Sequence, residues 1–250
     1  MSKSERTARL REESPVRQAR LAGACWLLCI LAGVAAFIAT SPLIVATDAA
    51  ATAANILAKE PLYRLGFALD LISGASYLVT TVLLYCLLKP AGRSLALLAA
   101  FFGQTGVAIG GVAWVSRLGL LVLLHGDQYL GAFTTTQLQA MAMTLLKLQL
   151  QVFSIGMVFF GVQCLSIGYL VARSTFLPRV LGIVLGIGGT TYVIASFASF
   201  LISSFGSQLV TFVFPVALIG EGLLTLWLLV KGIDLQRWRE QADAAEGTRT

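Results

Sequence analysis

Apolar residues run along this chain in blocks. Six of them, residues 21–45, 65–88, 95–124, 148–172, 180–202 and 209–230, reach the roughly 20 residues that a helix needs to cross a lipid core. Residues 159–182 show the plan in miniature. An apolar helix runs to Tyr169, meets Arg173, turns through Ser174 to Pro178, and resumes after Arg179. Apolar run, aromatic, cation, polar turn, cation, apolar run is the pattern of a membrane hairpin whose turn lies on the cytoplasmic side. The whole pattern predicts an all-α integral membrane protein. Residues 21–232 form a six-transmembrane-helix bundle, 1–20 a charged tail and 233–250 a C-terminal tail.

Two connecting segments carry structure of their own. The Ala-rich stretch 48–60 predicts a short helix at the outer surface between spans 1 and 2, capped by Thr47 or Asp48 and stopped by Pro61. Ahead of the fourth span, Thr134 and Thr136 each precede a glutamine by three residues, Gln137 and Gln139, in the manner of a capping box. A helix over 136–171 would be about 54 Å long, against a lipid core of ~30 Å. This long fourth helix must therefore protrude, tilt strongly, or break near Gly156 or Gly161.

Composition agrees with a lipid solvent: of 250 residues, 57% are hydrophobic and only 12% charged, too few to keep a soluble domain of this size dispersed. The net charge of +6 comes from cations in short segments beside apolar runs, a topology signal and not a nucleic-acid one. Fourteen Lys and Arg fall on the side of the two tails and of the turns holding Lys89, Arg93, Arg173 and Arg179; the opposite loops hold Lys59 and Arg64. The positive-inside rule then places both termini in the cytoplasm of a cell-membrane protein. Tyr85, Tyr169 and Trp227 each precede a cation by four residues (Lys89, Arg173 and Lys231), as interfacial aromatics with snorkelling cations do. The first apolar run exceeds the ~7–15 residues of a signal-peptide core and is read as a retained span.

Ionisable groups inside spans need a reason. Asp70, Arg117, Lys147 and Glu221 are the four, and their formal charges cancel. Counting helical rise from the predicted span ends sets Asp70 about 8 Å and Arg117 about 10 Å deep from the outer side. Lys147 enters from that side too, so these three are expected in one layer. Gln104, Gln163 and Glu221 each lie about 14 Å from the other surface and form a second layer, where a neutral Glu221 donating to a glutamine amide fits the depth. On the fourth span Lys147, Gln151 and Ser154 share one face, and Gln149, Gly156 and Gln163 nearly the opposite one. One of those faces meets a neighbouring helix. The layers read either as polar staples holding helices in register, as an outward-open cavity that recognises a polar ligand or relays protons, or as lipid or subunit contacts.

Cys25, Cys29, Cys86 and Cys164 sit in apolar runs and read as packed thiols, and His125 is the single histidine. Neither a metal site nor a cofactor is indicated, and a bis-histidine haem within one chain is ruled out. Gly106 and Gly110, and Gly182 and Gly186, are small residues four apart that permit close helix approach. No P-loop, dinucleotide loop, nucleophile elbow or zincin helix is present. The favoured function is therefore a non-enzymatic protein that binds or moves a small or lipid-like molecule, with membrane lipids as its partners. Two alternatives stand beside it: an accessory membrane subunit, or an intramembrane enzyme using Glu221 or Asp70 as acid/base and Arg117 or Lys147 to hold an anionic head group.

The phrases DAAATAANILAKEPLYRLG with Asp70 following, YCLLKPAGRSLALLAAFF, FFGVQCLSIGYLVARSTFLPRVLG and IGEGLLTLWLLVKG together resemble a bacterial membrane family known as domain-of-unknown-function family 4386. The resemblance covers residues 21–232 and implies a bacterial inner-membrane protein of several helices, with no reaction, substrate or cofactor attached. Asp70 and Glu221 fall in phrases matching that pattern; Arg117 and Lys147 do not.

Overall fold

A computed structural model describes residues 14–126 and 130–247, and the side chains of these apart from 203–215. Lys3, Arg6, Arg9, Arg11 and Arg249 of the charge count, the loop segment 127–129 and the side chain of Pro215 lie outside the described residues. The described elements are helical throughout: α1 (Pro15–Thr40), a 3-10 turn (Ser41–Leu43), α2 (Ala49–Ala58), α3 (Glu60–Leu88), α4 (Arg93–His125), α5 (Thr135–Arg173), α6 (Arg179–Leu201), α7 (Ser203–Val230) and α8 (Leu235–Gly247). Five helices, α1 and α3 to α6, are long and apolar enough to cross a membrane. Val216–Val230 of α7 and the helix α8, which meet at a bend of 104°, make a sixth only when the bent pair is counted as one. The protein is a multi-pass helical membrane protein.

Its exposed surface supports that reading. Phe37, Phe101, Val115 and Leu201 are each more than 60% exposed, while Thr80, Gln163, Ser196 and Thr225 are buried. Apolar side chains turned outward and polar ones inward suit lipid and not water.

Helix ends follow local chemistry. Pro42 in the 3-10 turn closes α1. Asp48, and not Thr47, caps α2 by accepting from the Ala51 N–H at 2.8 Å. Pro61 does not stop the chain: α2 ends at Ala58 and α3 starts at Glu60, with Pro61 in a first turn where its missing N–H costs nothing. The Thr134–Gln137 pair forms the reciprocal capping box, with bonds of 2.8 and 3.3 Å, and α5 begins there. α5 runs unbroken for 39 residues, about 58 Å, so neither Gly156 nor Gly161 breaks it; protrusion or tilt accommodates the excess.

The chain forms two compact units. One holds the start of α1 to Leu27, Tyr77–Gln104 and everything from Val158 on; the other holds Leu28–Ser76 and Thr105–Met157. Within the first, α5 and α6 meet backbone to backbone: a Cβ placed on Gly168 would lie 2.6 Å from the Gly182 carbonyl oxygen and 2.9 Å from the Gly186 nitrogen. α6 and α7 approach similarly at Gly188–Ala217 and Gly220–Val184. Within the second, Leu43, Ile56, Tyr63, Leu120, Leu121, Ala142 and Leu146 form a continuous apolar core that seats α2 against α3, α4 and α5.

The segment expected as a C-terminal tail is in fact the helix α8. Asp234 caps it by accepting from the Arg237 N–H at 3.1 Å, and Leu235, Trp238 and Ala242 turn to one face at helical spacing. Trp238 Nε1 donates to the Leu87 carbonyl at 2.9 Å, and Thr175 N donates to Gln241 Oε1 at 3.0 Å. Trp238→Phe should release α8 at a cost of about 1 kcal/mol. Faster trypsin cleavage at Arg237 and Arg239 in the detergent-solubilised protein is the expected result, and an unchanged cleavage rate would contradict the tether.

Candidate functional site

One stripe of α3 carries Tyr63, Gly66 and Asp70, two turns of a single helix face. Opposite it stand Thr40 from the end of α1 and Arg117 from α4. Arg117 is 5% exposed. Its Nη1 donates to Asp70 Oδ2, and its Nη2 donates to Thr40 Oγ1 at 2.7 Å. Thr40 passes its own hydrogen to the Ala36 carbonyl at 2.8 Å. Gly66 makes the meeting possible, because a side chain there would run into the Thr40 methyl group. The guanidinium carbon lies 5.2 Å from the centre of the Tyr63 ring, a cation–π contact.

This cluster is an ion pair with a remaining valence. Arg117 Nε is buried and, among the described residues, has no hydrogen-bond partner. The Asp70 side chain keeps 19% of its surface exposed against 6% for Arg117, so the pair is reached from the carboxylate side. A buried guanidinium missing one acceptor sits in an environment where an added acceptor is worth more than in water.

A second network lies in the other unit. Trp26, fully buried, donates Nε1 to Glu221 Oε2 at 3.3 Å, and Tyr192 is the second hydrogen-bond partner of that carboxylate. Trp26 packs edge-on against Tyr77 with ring centres 6.2 Å apart. The Tyr77 hydroxyl donates to Gln163 Oε1 at 2.8 Å. Gly103 leaves the room that the Gln163 amide fills, since a Cβ there would lie 2.6 Å from Gln163 Cδ.

The sequence-predicted residues fare unequally. Asp70 and Arg117 meet, as depth counting predicts. Lys147 does not join them: it is exposed, as is Gln151 on the same face of α5. The buried face is the other one, where Gly156 faces the Gly106 carbonyl at 3.4 Å and Gln163 is 1% exposed. Among the described residues Glu221 gives no proton to a glutamine; it receives hydrogens from an indole and a phenol, the donors that α1 and α6 bring to it. Gln104 is half-buried and, among the described residues, shares no hydrogen bond with Gln163 or Glu221. Glu221 and Asp70 thus serve separate contacts, and of the proposed carboxylate–cation pairs the structure brings Asp70 and Arg117 together.

Sequence reasoning passed over Thr40, Tyr63, Trp26, Tyr77 and Tyr192. Their signal was available only as polar tips on otherwise apolar stripes. It also passed over the bridge from His125 Nε2 to Glu60 Oε2 at 3.2 Å, which ties the end of α4 to the start of α3. All four cysteines are free thiols, and no group of three or more metal-ligating side chains is found among the described residues.

Compared with known proteins, residues 21–232 match the family model described as Domain of unknown function (DUF4386). A protein of Archaeoglobus fulgidus described as "Uncharacterized protein" is 28% identical over 116 residues, 46% of this chain and 66% of the relative. This chain therefore spans just under two thirds of that relative. No solved structure matches.

Proposed function

From the premise that this chain belongs to the DUF4386 family, we propose that it is a non-enzymatic cell-membrane protein that binds a small or lipid-like molecule bearing an acidic or carbonyl group. The receiving site is the Thr40–Tyr63–Asp70–Arg117 cluster. With both tails in the cytoplasm, as the distribution of Lys and Arg favours, the cluster opens toward the outer face. One observation carries the reading: the buried Arg117 Nε, an unused donor next to a partly exposed carboxylate. A ligand oxygen there satisfies the guanidinium, and the Tyr63 ring supplies an aromatic floor. Gly66 and Thr40 set how close the walls come.

A structural reading competes on a specific observation. Thr40 and Asp70 already hold two of the guanidinium's three nitrogens, as a polar staple between α1, α3 and α4 would. Native mass spectrometry of protein released from membranes in mild detergent separates the two. The variant is the charge-neutral double substitution Asp70→Asn/Arg117→Gln, which keeps hydrogen-bonding shape while removing the charges. Ligand binding predicts a co-purifying adduct on the wild type, reduced roughly tenfold in the variant, the scale of a hydrogen bond to a charged group. Identical spectra would leave the staple as the account.

A further inference from the structure

The end of α7, the start of α8 and the turn between α5 and α6 enclose a pocket of about 350 Å³. Its walls combine two chemistries. Trp227, Ile233 and the turn residues Phe176, Leu177 and Pro178 give apolar surface; Lys231 and Arg237 give cations. Asp234 is the one acidic side chain in the lining, held by Arg237 Nε at 3.5 Å. Two cations therefore line the pocket against one carboxylate.

The pocket is built and held, not a gap between loose ends. Gly232 adopts φ +70°, the left-handed conformation that lets the chain leave α7 sharply. The Asp234 N–H donates to the Phe176 carbonyl at 3.3 Å, and Thr175 is fastened to Gln241 by its N–H and its hydroxyl, each at 3.0 Å. Because α8 leaves at 104° to the spanning segment, it lies along the membrane surface when α7 crosses. No residue of α8 is fully buried, and its outer face carries Arg239, Glu240, Asp243 and Glu246. Trp227 and Lys231 then stand at the depth where acyl chains give way to head groups.

We propose that this pocket is a binding site for the phosphate head group of an anionic membrane phospholipid, with Lys231 and Arg237 neutralising the phosphate and Trp227 and Ile233 contacting the adjoining acyl region. Charge complementarity selects the anionic lipid over a zwitterionic one, and the apolar walls select a lipid over a free anion. Each cation near such a surface contributes roughly a fivefold preference.

The test is a native mass-spectrometry titration of the full-length protein in mild detergent. It uses phosphatidylglycerol and phosphatidylcholine of matched chains, with inorganic phosphate as competitor. The wild type is expected to bind phosphatidylglycerol more tightly. Lys231→Gln should cut that preference roughly fivefold and Lys231→Gln/Arg237→Gln further still, while millimolar phosphate leaves it in place. The single variant alters an exposed side chain and keeps the test valid if loss of Arg237 disturbs α8. Equal affinity for the two lipids, an unchanged preference in Lys231→Gln, or full displacement by inorganic phosphate would each overturn the assignment.

Discussion

Asp70→Ala is expected to lower the unfolding stability of the detergent-solubilised protein by about 3–5 kcal/mol, and Arg117→Ala by somewhat less. The asymmetry follows from exposure. Asp70 keeps 19% of its side-chain surface and can be hydrated when its partner is gone, whereas Arg117 keeps 6%. Removing the guanidinium also takes a partner from Thr40 and the cation from above Tyr63. Removing the carboxylate leaves the Arg117 charge buried without a counter-ion, although Thr40 still accepts from it. In the Asp70→Ala background, then, Arg117→Ala should be partly tolerated, because there is no longer a stranded charge to expose. A double-mutant cycle on denaturant midpoints measures this coupling. Additive losses would show that the two residues do not depend on one another.

The second large effect lies in the α5–α6 seam. Gly168→Ala places a methyl group against the Gly182 carbonyl oxygen and the Gly186 nitrogen, at 2.6 and 2.9 Å. These are backbone atoms of a neighbouring helix and cannot swing aside, so the helices must separate. The expected loss is about 2–3 kcal/mol. Gly186→Ala is the internal control. Nothing lies within 4 Å of a Cβ at that position, and alanine is the better helix former by about 1 kcal/mol. Thermal unfolding of the two variants side by side should show a large drop for the first and none for the second; equal drops would mean that the seam is not packed as described.

These cases show how far the sequence could be read. Helix positions were legible because apolar runs bounded by cations leave little freedom in lipid, and the predicted spans differ from the observed helices mainly by extensions at their polar ends, such as α1 beginning at Pro15. The Asp70–Arg117 meeting was legible from depth alone, since both residues lie a few turns from one end of their helices. Depth without azimuth is where the reading stopped. Lys147 enters at a suitable height but on the outward face of α5, and nothing in a single helix's sequence says which face a neighbour covers. The Gly182–Gly186 pair does mark a close helix approach, since a Cβ on Gly182 would meet the Gly168 carbonyl oxygen, but spacing on one helix could not name Gly168 as the partner. Glu221 found Trp26 and Tyr192 because aromatic residues in a span count as apolar until their one polar atom has a partner. The helix α8 was missed because charged residues at 237, 239, 240, 243 and 246 resemble a solvated tail. Its Asp234 cap and the Leu235–Trp238 spacing were nonetheless in view.

An experimental density map of the full-length protein in lipid nanodiscs, at side-chain resolution around Arg117, tests the central claim most directly. Non-protein density within hydrogen-bond reach of Arg117 Nε, bordered by Tyr63 and Asp70, is the predicted result. A fully enclosed Asp70–Arg117 pair whose Nε is met by a protein oxygen, with no adjoining density, would contradict it.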